Sequence, residues 1–300
     1  PLWLKIQKEE IQMRNLKRAL SLALAAIMLI GMMVVSACAV SYNDLTDKDQ
    51  IVNKDAVSML VSLGIIEGKP DGSYGPTENV DRAQMAKMLS VIMNKGVDNS
   101  ALYQSVNSGL VDVNTNWAKG HINYCYTTGI IAGRGNGTFD PSATVTALEA
   151  AKMLLVAVGY DPAIEGFEGA DWAINVSVRA DEQGIFEGFT KDLSAPLNRD
   201  DAALLIYNAL DVEMIQSYTT NNYPIAYSDH RTILADKYGV IKVQGVVVAN
   251  EWASLASDDG DAALKEGKTT IYNGEGIFST TGNTTVSKED ASLKTQTFNV

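Results

Sequence analysis

The side chains that most often perform catalysis are few in this chain and lie far apart. Its two histidines, His121 and His230, stand in different regions, and neither belongs to a His-Glu-x-x-His or Cys-x-x-Cys motif. The sequence has no Gly-x-Ser-x-Gly nucleophile turn and no phosphate-binding loop. The polar loops at Asn136–Gly137 and Ser257–Asp261 lack the spacing of an EF-hand and are interpreted as solvated turns. The sequence therefore predicts no cofactor, no metal site and no catalytic centre.

The composition is that of an acidic globular chain. Of its 300 residues, 46% are hydrophobic, which is enough for a sizeable core in about two domains. The formal net charge of −12 excludes a nucleic-acid-binding protein, which needs a basic surface. The two cysteines, Cys38 and Cys125, are too few for a disulfide framework, and Cys125 stands in an apolar stretch where a buried thiol is expected.

Residues 1–39 are predicted to be a short upstream extension followed by a secretory signal peptide. Met13–Arg18 is basic, Ala19–Val35 is an uncharged apolar run, and a small-x-small cleavage site follows at residues 37–39. Two alternatives stay open. Cys38 is the lipidated cysteine of a bacterial lipobox, or the apolar run remains as a membrane anchor of about 20 residues. All three interpretations export the rest of the chain.

Three copies of one segment make up the middle of the chain. Each copy has a turn of the form Gly-Ile-x-x-Gly and then a polar loop that leads to a helix start. The turns lie at residues 64–68, 129–133 and 184–188, and the helix starts lie at Asp81, Thr146 and Asn198. Apolar residues at helical spacing flank each turn, so each copy is predicted to contain two helices. The copies are assigned to residues 41–98, 108–162 and 167–212.

The composition changes after the third copy. Residues 213–229 are predicted to be a linker, and residues 230–300 a β-rich domain of which the chain contains only a part. Strands are predicted in the β-branched runs Tyr238–Val248, Thr269–Phe278 and Thr284–Val286. The predicted fold class is therefore mainly α, with three tandem helical repeats followed by a β-rich domain.

The three copies resemble S-layer homology (SLH) domains. The family pattern is an Asp near the start, a Trp, a Gly-Ile-x-x-Gly turn, an Asp-Gly-x-Phe-x-Pro loop and a Thr-Arg-Ala-Glu helix start. Counterparts in this chain, besides the turns and helix starts, are Asp44 and Asp112, Trp117 and Trp172, and the loops 71–76 and 136–141. The whole chain resembles exported S-layer-like proteins of Firmicutes.

The resemblance implies that the three repeats pack as a pseudo-threefold spindle with grooves between neighbours. It also implies that the grooves bind secondary cell-wall polysaccharide, often pyruvylated and attached to peptidoglycan, as a non-covalent anchor. A pyruvate ketal carries a carboxylate, and arginine pairs with a carboxylate through two parallel hydrogen bonds. A helix start adds backbone N–H groups and the positive end of the helix dipole.

The resemblance assigns polysaccharide binding to the helix starts. Arg82 and Arg199 carry the arginine of the family, whereas Ala147 replaces it in the second copy. We therefore expect at most two arginine sites and a weakened or purely structural groove at Ala147. The alternative for both arginines is a surface salt bridge within the repeat.

Seven further residues are assigned to the binding site, each with a structural role as the alternative. Trp117 and Trp172 either serve as sugar platforms or pack in the core or the groove wall. Asp44 and Asp112 are ligands or turn caps, and Gln84, Glu149 and Asp201 are in the first place helix-capping partners.

The resulting hypothesis is a non-enzymatic module that anchors an exported protein to the cell wall. Its role would be structural, in an S-layer, with self-association in a lattice as a further expectation. The alternative is an anchor for a cell-surface hydrolase whose catalytic domain lies beyond Val300. A lipoprotein held through Cys38 is a third hypothesis.

Overall fold

The structure is a computed structural model that describes residues 41–240, 242, 245–249, 270–272, 277–280, 285–288 and 296–297. The predicted signal peptide, with Cys38, and the loop at 257–261 lie outside the described residues. The described part of the chain is mainly helical. The three copies hold the helices α1 Lys54–Ser62, α2 Arg82–Met93, α3 Lys119–Thr127, α4 Ala147–Val158, α5 Trp172–Glu182 and α6 Arg199–Ala209, with short 3₁₀ helices at Tyr42–Asp44, Lys48–Gln50 and Ser100–Tyr103.

The second helix of each copy begins where its capping residue was predicted. The side chain of Asp81 accepts a hydrogen bond from the backbone N–H of Gln84 at 2.7 Å. Thr146 and Asn198 accept the equivalent bonds in the other two copies. Each cap satisfies a backbone donor that has no partner inside its helix, which fixes the start of the helix.

The first helix of each copy ends two residues before the first glycine of its turn. Gly64, Gly129 and Gly184 have φ values of +69°, +77° and +70°. A side chain with a Cβ is strained in this left-handed conformation, so glycine permits the reversal that sends the chain into the polar loop.

The helices pack between copies in a cycle. The second helix of each copy lies against the first helix of the next, so that α2 packs on α3, α4 on α5, and α6 on α1. Because the last copy packs back onto the first, the three copies close into a ring.

A triangle of backbone hydrogen bonds holds the ring together. The N–H of Val80 donates to the carbonyl of Leu197 at 2.8 Å, Leu197 donates to Val145 at 2.8 Å, and Val145 donates to Val80 at 2.9 Å. These three residues precede the three helix caps and are buried. Each copy thus uses the same residue to donate to one neighbour and to accept from the other.

The segment 213–229, predicted to be a linker, contains an antiparallel hairpin of β1 Ile215–Tyr218 and β2 Pro224–Ala226. It is followed by a short helix, α7 Ile233–Tyr238, which packs on α2. The prediction of a strand from Tyr238 is therefore wrong at its start. Gly239, with a φ of +65°, ends α7, and the Tyr238 hydroxyl donates to the carbonyl of Ile92 at 3.3 Å.

The rest of the described chain forms an antiparallel sheet in which consecutive strands are neighbours. Its strands are β3 Val246–Ala249, β4 Thr270–Tyr272, β5 Ile277–Thr280, β6 Thr285–Lys288 and β7 Gln296–Thr297. Strands β3 to β6 fall in or overlap the runs for which strands were predicted, because β-branched residues fit a pleated surface.

Three further observations concern the described residues alone. None of their helices combines the length and the apolar character needed to cross a membrane. They contain no group of three His, Cys, Asp or Glu side chains placed to hold a metal ion. Cys125 is buried, as predicted, and burial raises the pKa of its thiol well above the ordinary value.

Candidate functional site

Two equivalent grooves lie in the ring of repeats. The first groove encloses about 270 Å³ and the second about 490 Å³. The side chains that define the first groove are Glu67, Lys69, Gln84, Lys87, Trp117 and Arg199. The residues at the same positions of the second groove are Ala132, Arg134, Glu149, Lys152, Trp172 and Arg82.

Each groove is assembled from all three copies. The first groove takes its turn and helix α2 from the first copy, Trp117 from the second and Arg199 from the third. The second groove follows the same rule one copy further along, so that Arg82 of the first copy lies in it. Arg82 and Gln84 belong to one sequence motif, yet they serve different grooves.

Both predicted arginines are fixed by carbonyl oxygens of the next copy around the ring. Arg82 Nε donates to the carbonyl of Phe139 at 2.8 Å, and its Nη2 donates to Ala132 at 3.0 Å. Its guanidinium carbon lies 4.4 Å from the centre of the Phe139 ring, which is cation–π geometry. The predicted alternative, a salt bridge within the repeat, does not describe Arg82, because its partners lie in the second copy.

Arg199 repeats this arrangement on the first copy. Its Nε donates to the carbonyl of Tyr74 at 2.8 Å and its Nη2 to that of Glu67 at 3.2 Å, with the guanidinium carbon 4.7 Å from the Tyr74 ring centre. Both arginines therefore join neighbouring copies and also line a groove. Removing either one would disturb the fold as well as the groove.

The helix starts do not offer free N–H groups to a ligand, contrary to the expectation from the sequence. The first two N–H groups of α2, on Arg82 and Ala83, donate to carbonyls of the second copy at 2.9 Å each. Arg199 and Asp200 donate in the same way to carbonyls of the first copy. The third N–H of each helix is held by its cap, so the backbone donors join the copies instead of facing the grooves.

The two predicted tryptophans lie in the grooves. Trp117 is 58% exposed, and Trp172 is half-buried with the ammonium of Lys152 5.8 Å from its ring centre. Neither is a core residue, so each presents an aromatic face at the groove wall. Packing in the core is therefore excluded for both tryptophans, and a role as a sugar platform stays a prediction.

Gln84 and Glu149 are capping-box partners, as the sequence predicted, and they also line the grooves. Gln84 Oε1 accepts from the N–H of Asp81 at 3.1 Å, and Glu149 Oε2 accepts from the N–H of Thr146 at 3.2 Å. The second carboxylate oxygen of Glu149 is bonded to Arg134 Nη1 at 2.7 Å. The two grooves thus differ in charge at the same position.

Asp201, the third residue of this set, occupies the corresponding position of the third copy, and the place in the ring equivalent to the two grooves is called the third groove below. The backbone N–H of Asp201 bonds to the cap Asn198, but its carboxylate pairs with Lys191 and does not return a bond to the backbone of the cap. The prediction of a capping-box partner is therefore wrong for Asp201. In this third groove the positions of the arginine, the tryptophan and the lysine are Ala147, Val52 and Leu204. The absence of the arginine at Ala147 is thus accompanied by the absence of the tryptophan and the lysine.

Asp112 and Asp44, which the sequence pattern treats as equivalent, lie in different environments. Asp112 accepts the N–H groups of Phe139 and Asp140 at 2.9 and 2.7 Å. In the first copy the matching bonds, from Tyr74 and Gly75 at 2.7 and 2.8 Å, go to Asp47. The choice of Asp44 as the counterpart of Asp112 is therefore wrong.

Asp44 instead lies exposed in the 3₁₀ helix at the start of the first copy. It accepts a bond from the N–H of Ser41 at 3.2 Å, which is the turn-cap alternative. Asp112 is also a turn cap. Burial raises the pKa of its carboxyl, but the two backbone hydrogen bonds outweigh burial and hold the pKa below its ordinary value.

Two groove lysines, Lys87 and Lys152, are not among the residues predicted from the sequence. Each stands five residues after the start of its second helix, and each lines a groove together with a tryptophan. Their equal spacing from Asp81 and Thr146 would have revealed them, because the third copy has Leu204 at the same distance from Asn198. Asp47 was recoverable in the same way, since it precedes its turn by as many residues as Asp112 does.

Comparison with known proteins agrees with this architecture. Residues 41–86 and 111–151 match the profile of the S-layer homology domain family. A cell surface protein of Thermoanaerobacter kivui is 27% identical over 270 residues, which are 89% of this chain and 32% of that protein. An S-layer protein of Bacillus licheniformis is 33% identical over 113 residues, which are 38% of this chain and 12% of that protein.

An enzyme is also among the relatives. The exoglucanase XynX of Acetivibrio thermocellus is 29% identical over 188 residues, which are 58% of this chain and 16% of the enzyme. The chain thus spans about a third or less of the length of these three relatives. The family match and these similarities lead to one identification: the chain is an S-layer homology domain protein, related to S-layer and cell surface proteins.

Proposed function

We propose that this protein is exported and anchored non-covalently to the cell wall through the first and second grooves, which bind secondary cell-wall polysaccharide. One observation carries the proposal. Two equivalent grooves, built from different parts of the chain, both combine an arginine, a lysine and a tryptophan at the wall. The tryptophan is exposed in the first groove and half-buried in the second. A packing role alone would not require the lysine and the tryptophan in both grooves.

The chemistry of this combination fits an acidic sugar. A guanidinium and an ammonium attract a carboxylate, and the guanidinium adds directed hydrogen bonds. An aromatic face packs against the apolar C–H face of a sugar ring, and burying this surface is favourable in water. Polysaccharide that bears carboxylates, such as pyruvate ketals, is therefore the proposed ligand.

We further propose that all three copies form one SLH spindle, although the family profile matches only the first two. The closed triangle of hydrogen bonds through Val80, Val145 and Leu197 supports this, since the third copy takes part on the same terms. The role we propose is structural and non-enzymatic, within a surface layer, while the function of the β strands stays open.

The anchoring proposal is tested by sedimentation of the full chain with purified cell walls. Trp117→Ala combined with Trp172→Ala should reduce the bound fraction at least tenfold, because both grooves lose their aromatic wall. Val52→Ala is the matched control, since Val52 is 81% exposed at the equivalent position of the third groove. It should bind as the wild type does.

The same assay identifies the wall component. Walls stripped of their secondary polymer with hydrofluoric acid should no longer retain the wild-type chain. Equal binding to intact and stripped walls would exclude polymer recognition. These tryptophans serve better than the arginines as first targets, because Arg82 and Arg199 also hold the copies together.

The second candidate function is an anchor for a surface hydrolase, with catalysis in a domain beyond Val300. The similarity to an exoglucanase of which the chain covers 16% favours it. The sequence of the complete reading frame decides between the two functions, because a catalytic domain downstream would overturn the structural role. Mass spectrometry of the mature N-terminus tests export, and a lipid on Cys38 would replace cleavage after Ala39.

A further inference from the structure

The two grooves differ in how far their arginine is already neutralised. Arg199 in the first groove is half-buried, and among the described residues no carboxylate lies within ion-pair distance of its guanidinium. Two of its nitrogens bind the carbonyls of Tyr74 and Glu67, and Nη1 has no hydrogen-bond partner in the described part of the chain. The first groove thus holds a cation with a donor still available.

The arginine of the second groove, by contrast, already lies beside a carboxylate. Arg82 is 4% exposed, and its Nη1 lies 3.8 Å from the carboxylate of Glu149. Glu149 also receives Arg134 at 2.7 Å. Burial, followed by the charge of Arg134, lowers the pKa of Arg82 to about 10. A ligand carboxylate that enters this groove is repelled by Glu149, which lies beside Arg82.

This difference traces to one position. Gln84 and Glu149 have the same length and the same capping role, but Gln84 is neutral. The Gln84 amide oxygen accepts the capping bond, so its NH₂ group is left as a donor in the first groove. At the position where the second groove has the charged acceptor Glu149, the first groove has the amide donor of Gln84.

The other acidic side chains do not reverse this difference in charge between the two grooves. In the first groove Glu67 pairs with Lys87 at 3.2 Å, but the two side chains are 70% and 33% exposed, and such exposed pairs exchange readily for a ligand. Lys69 pairs with the exposed Glu78. The lining of the second groove contains Glu168 in addition to Glu149.

We infer that the first groove is the principal site for an ionised sugar, because Gln84 is neutral where the second groove has Glu149. The wider second groove then binds a neutral segment of the same polymer. The inference rests on the proposed function of the grooves. Hydrogen bonds to charged groups are worth enough that the presence or absence of one competing carboxylate should change the affinity about tenfold.

The test exchanges the two residues in the full chain. The probe is a methyl hexopyranoside with a 4,6-pyruvate ketal, and its methyl ester is the neutral control. Calorimetry should show that Gln84→Glu weakens binding of the acid about tenfold and binding of the ester by clearly less, because both ligands lose the amide donor but only the acid is repelled by the new charge. Glu149→Gln should strengthen binding at the second groove. Both substitutions keep the oxygen that closes the capping box, so neither removes the cap.

The groove that binds is identified by NMR of the tryptophan indole N–H groups, assigned with Trp117→Phe and Trp172→Phe. The Trp117 signal should shift at lower concentrations of the acid than the Trp172 signal. If the wild type binds the acid but Gln84→Glu has no effect, or if Trp172 responds first, the inference is overturned and the anchoring function stands. If the wild type binds neither the probe nor purified walls, both fail.

Discussion

The first and third grooves occupy equivalent positions in the ring, yet only the first keeps the binding residues. Arg199, Trp117 and Lys87 in the first groove correspond to Ala147, Val52 and Leu204 in the third. These three replacements lie in three different copies of the repeat. They come together in one groove because each groove draws on all three copies.

The third groove also has an acidic character of its own. Asp200 is buried and accepts hydrogen bonds from the backbone and side-chain N–H groups of Asn53, the nearer at 2.9 Å. Asp201 beside it pairs with Lys191. Burial, followed by hydrogen bonding that opposes it and by the charge of Asp201, leaves the pKa of Asp200 raised. The comparison shows that function depends on the groove between copies and not on the single copy. The contacts of the third groove serve to close the ring.

The largest effect that tests this comparison is expected from removing an arginine that joins two copies. Arg82→Ala leaves the buried carbonyl of Phe139 and the partly buried carbonyl of Ala132 without their donors, and should lower the free energy of unfolding by about 3 kcal/mol. Arg199→Ala should cost less, about 2 kcal/mol, because Arg199 is less buried. Urea denaturation followed by circular dichroism measures both.

Arg82→Lys is the control for charge, since lysine keeps the cation but cannot reach both carbonyls with a planar fork. A stability of Arg82→Ala equal to that of the wild type would show that the first and second copies are held together without this arginine.

The next effect is expected from restoring the arginine in the third groove. Ala147 is fully buried, and the aromatic residue that receives the arginine elsewhere, Tyr74 or Phe139, is Lys191 in the third copy. Ala147→Arg should therefore lower the free energy of unfolding by about 2 kcal/mol, through overpacking and repulsion from Lys191. Adding Lys191→Phe should recover part of this loss in thermal denaturation. If Ala147→Arg is neutral alone, the third groove is open to the same chemistry as the others.

The local features of the fold could be predicted from the sequence, and the assembly of the grooves could not. The caps at Asp81, Thr146 and Asn198 and the glycine turns depend on bonds within a few residues, so their residue types reveal them. Which groove Arg82 enters depends on the packing of α2 against α3 and α4, which no local pattern records. Asp44 and Asp47 are the same residue type in one short polar stretch, so only their spacing to the turn separates the turn cap at Asp47 from its neighbour.

A smaller effect separates these two aspartates. Asp47→Asn should lower the free energy of unfolding by about 1.5 kcal/mol, because an amide oxygen is a weaker and less complete acceptor for the N–H groups of Tyr74 and Gly75. Asp112→Asn should behave alike, which makes it the internal comparison. Asp44→Asn, on the surface, should change stability by less than about 0.5 kcal/mol. Equal effects of Asp44→Asn and Asp47→Asn in chemical denaturation would contradict the assignment.

The smallest effect is expected from a titrating side chain beneath the first groove that the second groove lacks. His121 is buried, its Nδ1 lies 2.6 Å from Ser90 Oγ, and its ring contacts Trp117 edge-on. The position equivalent to His121 in the second groove is the apolar Val176. Ser90 donates to the carbonyl of Lys87 at 2.9 Å, so its oxygen accepts from a neutral imidazole that carries its proton on Nδ1.

Burial lowers the pKa of His121 below 6.5, Lys87 lowers it further, and Asp98, 3.6 Å from Nε2, opposes them without reversing the shift. Below pH 6.5 the unfolded chain then binds a proton that the folded chain resists, so stability falls as the pH decreases through the folded pKa. His121→Val, which copies Val176, should remove this component. The difference in unfolding free energy between wild type and variant, measured in urea from pH 7.5 to 5, should therefore shift against the wild type on acidification. A difference that stays constant over this range would mean that His121 has the same pKa in the folded and unfolded chains, and that the first groove is no more sensitive to acid than the second.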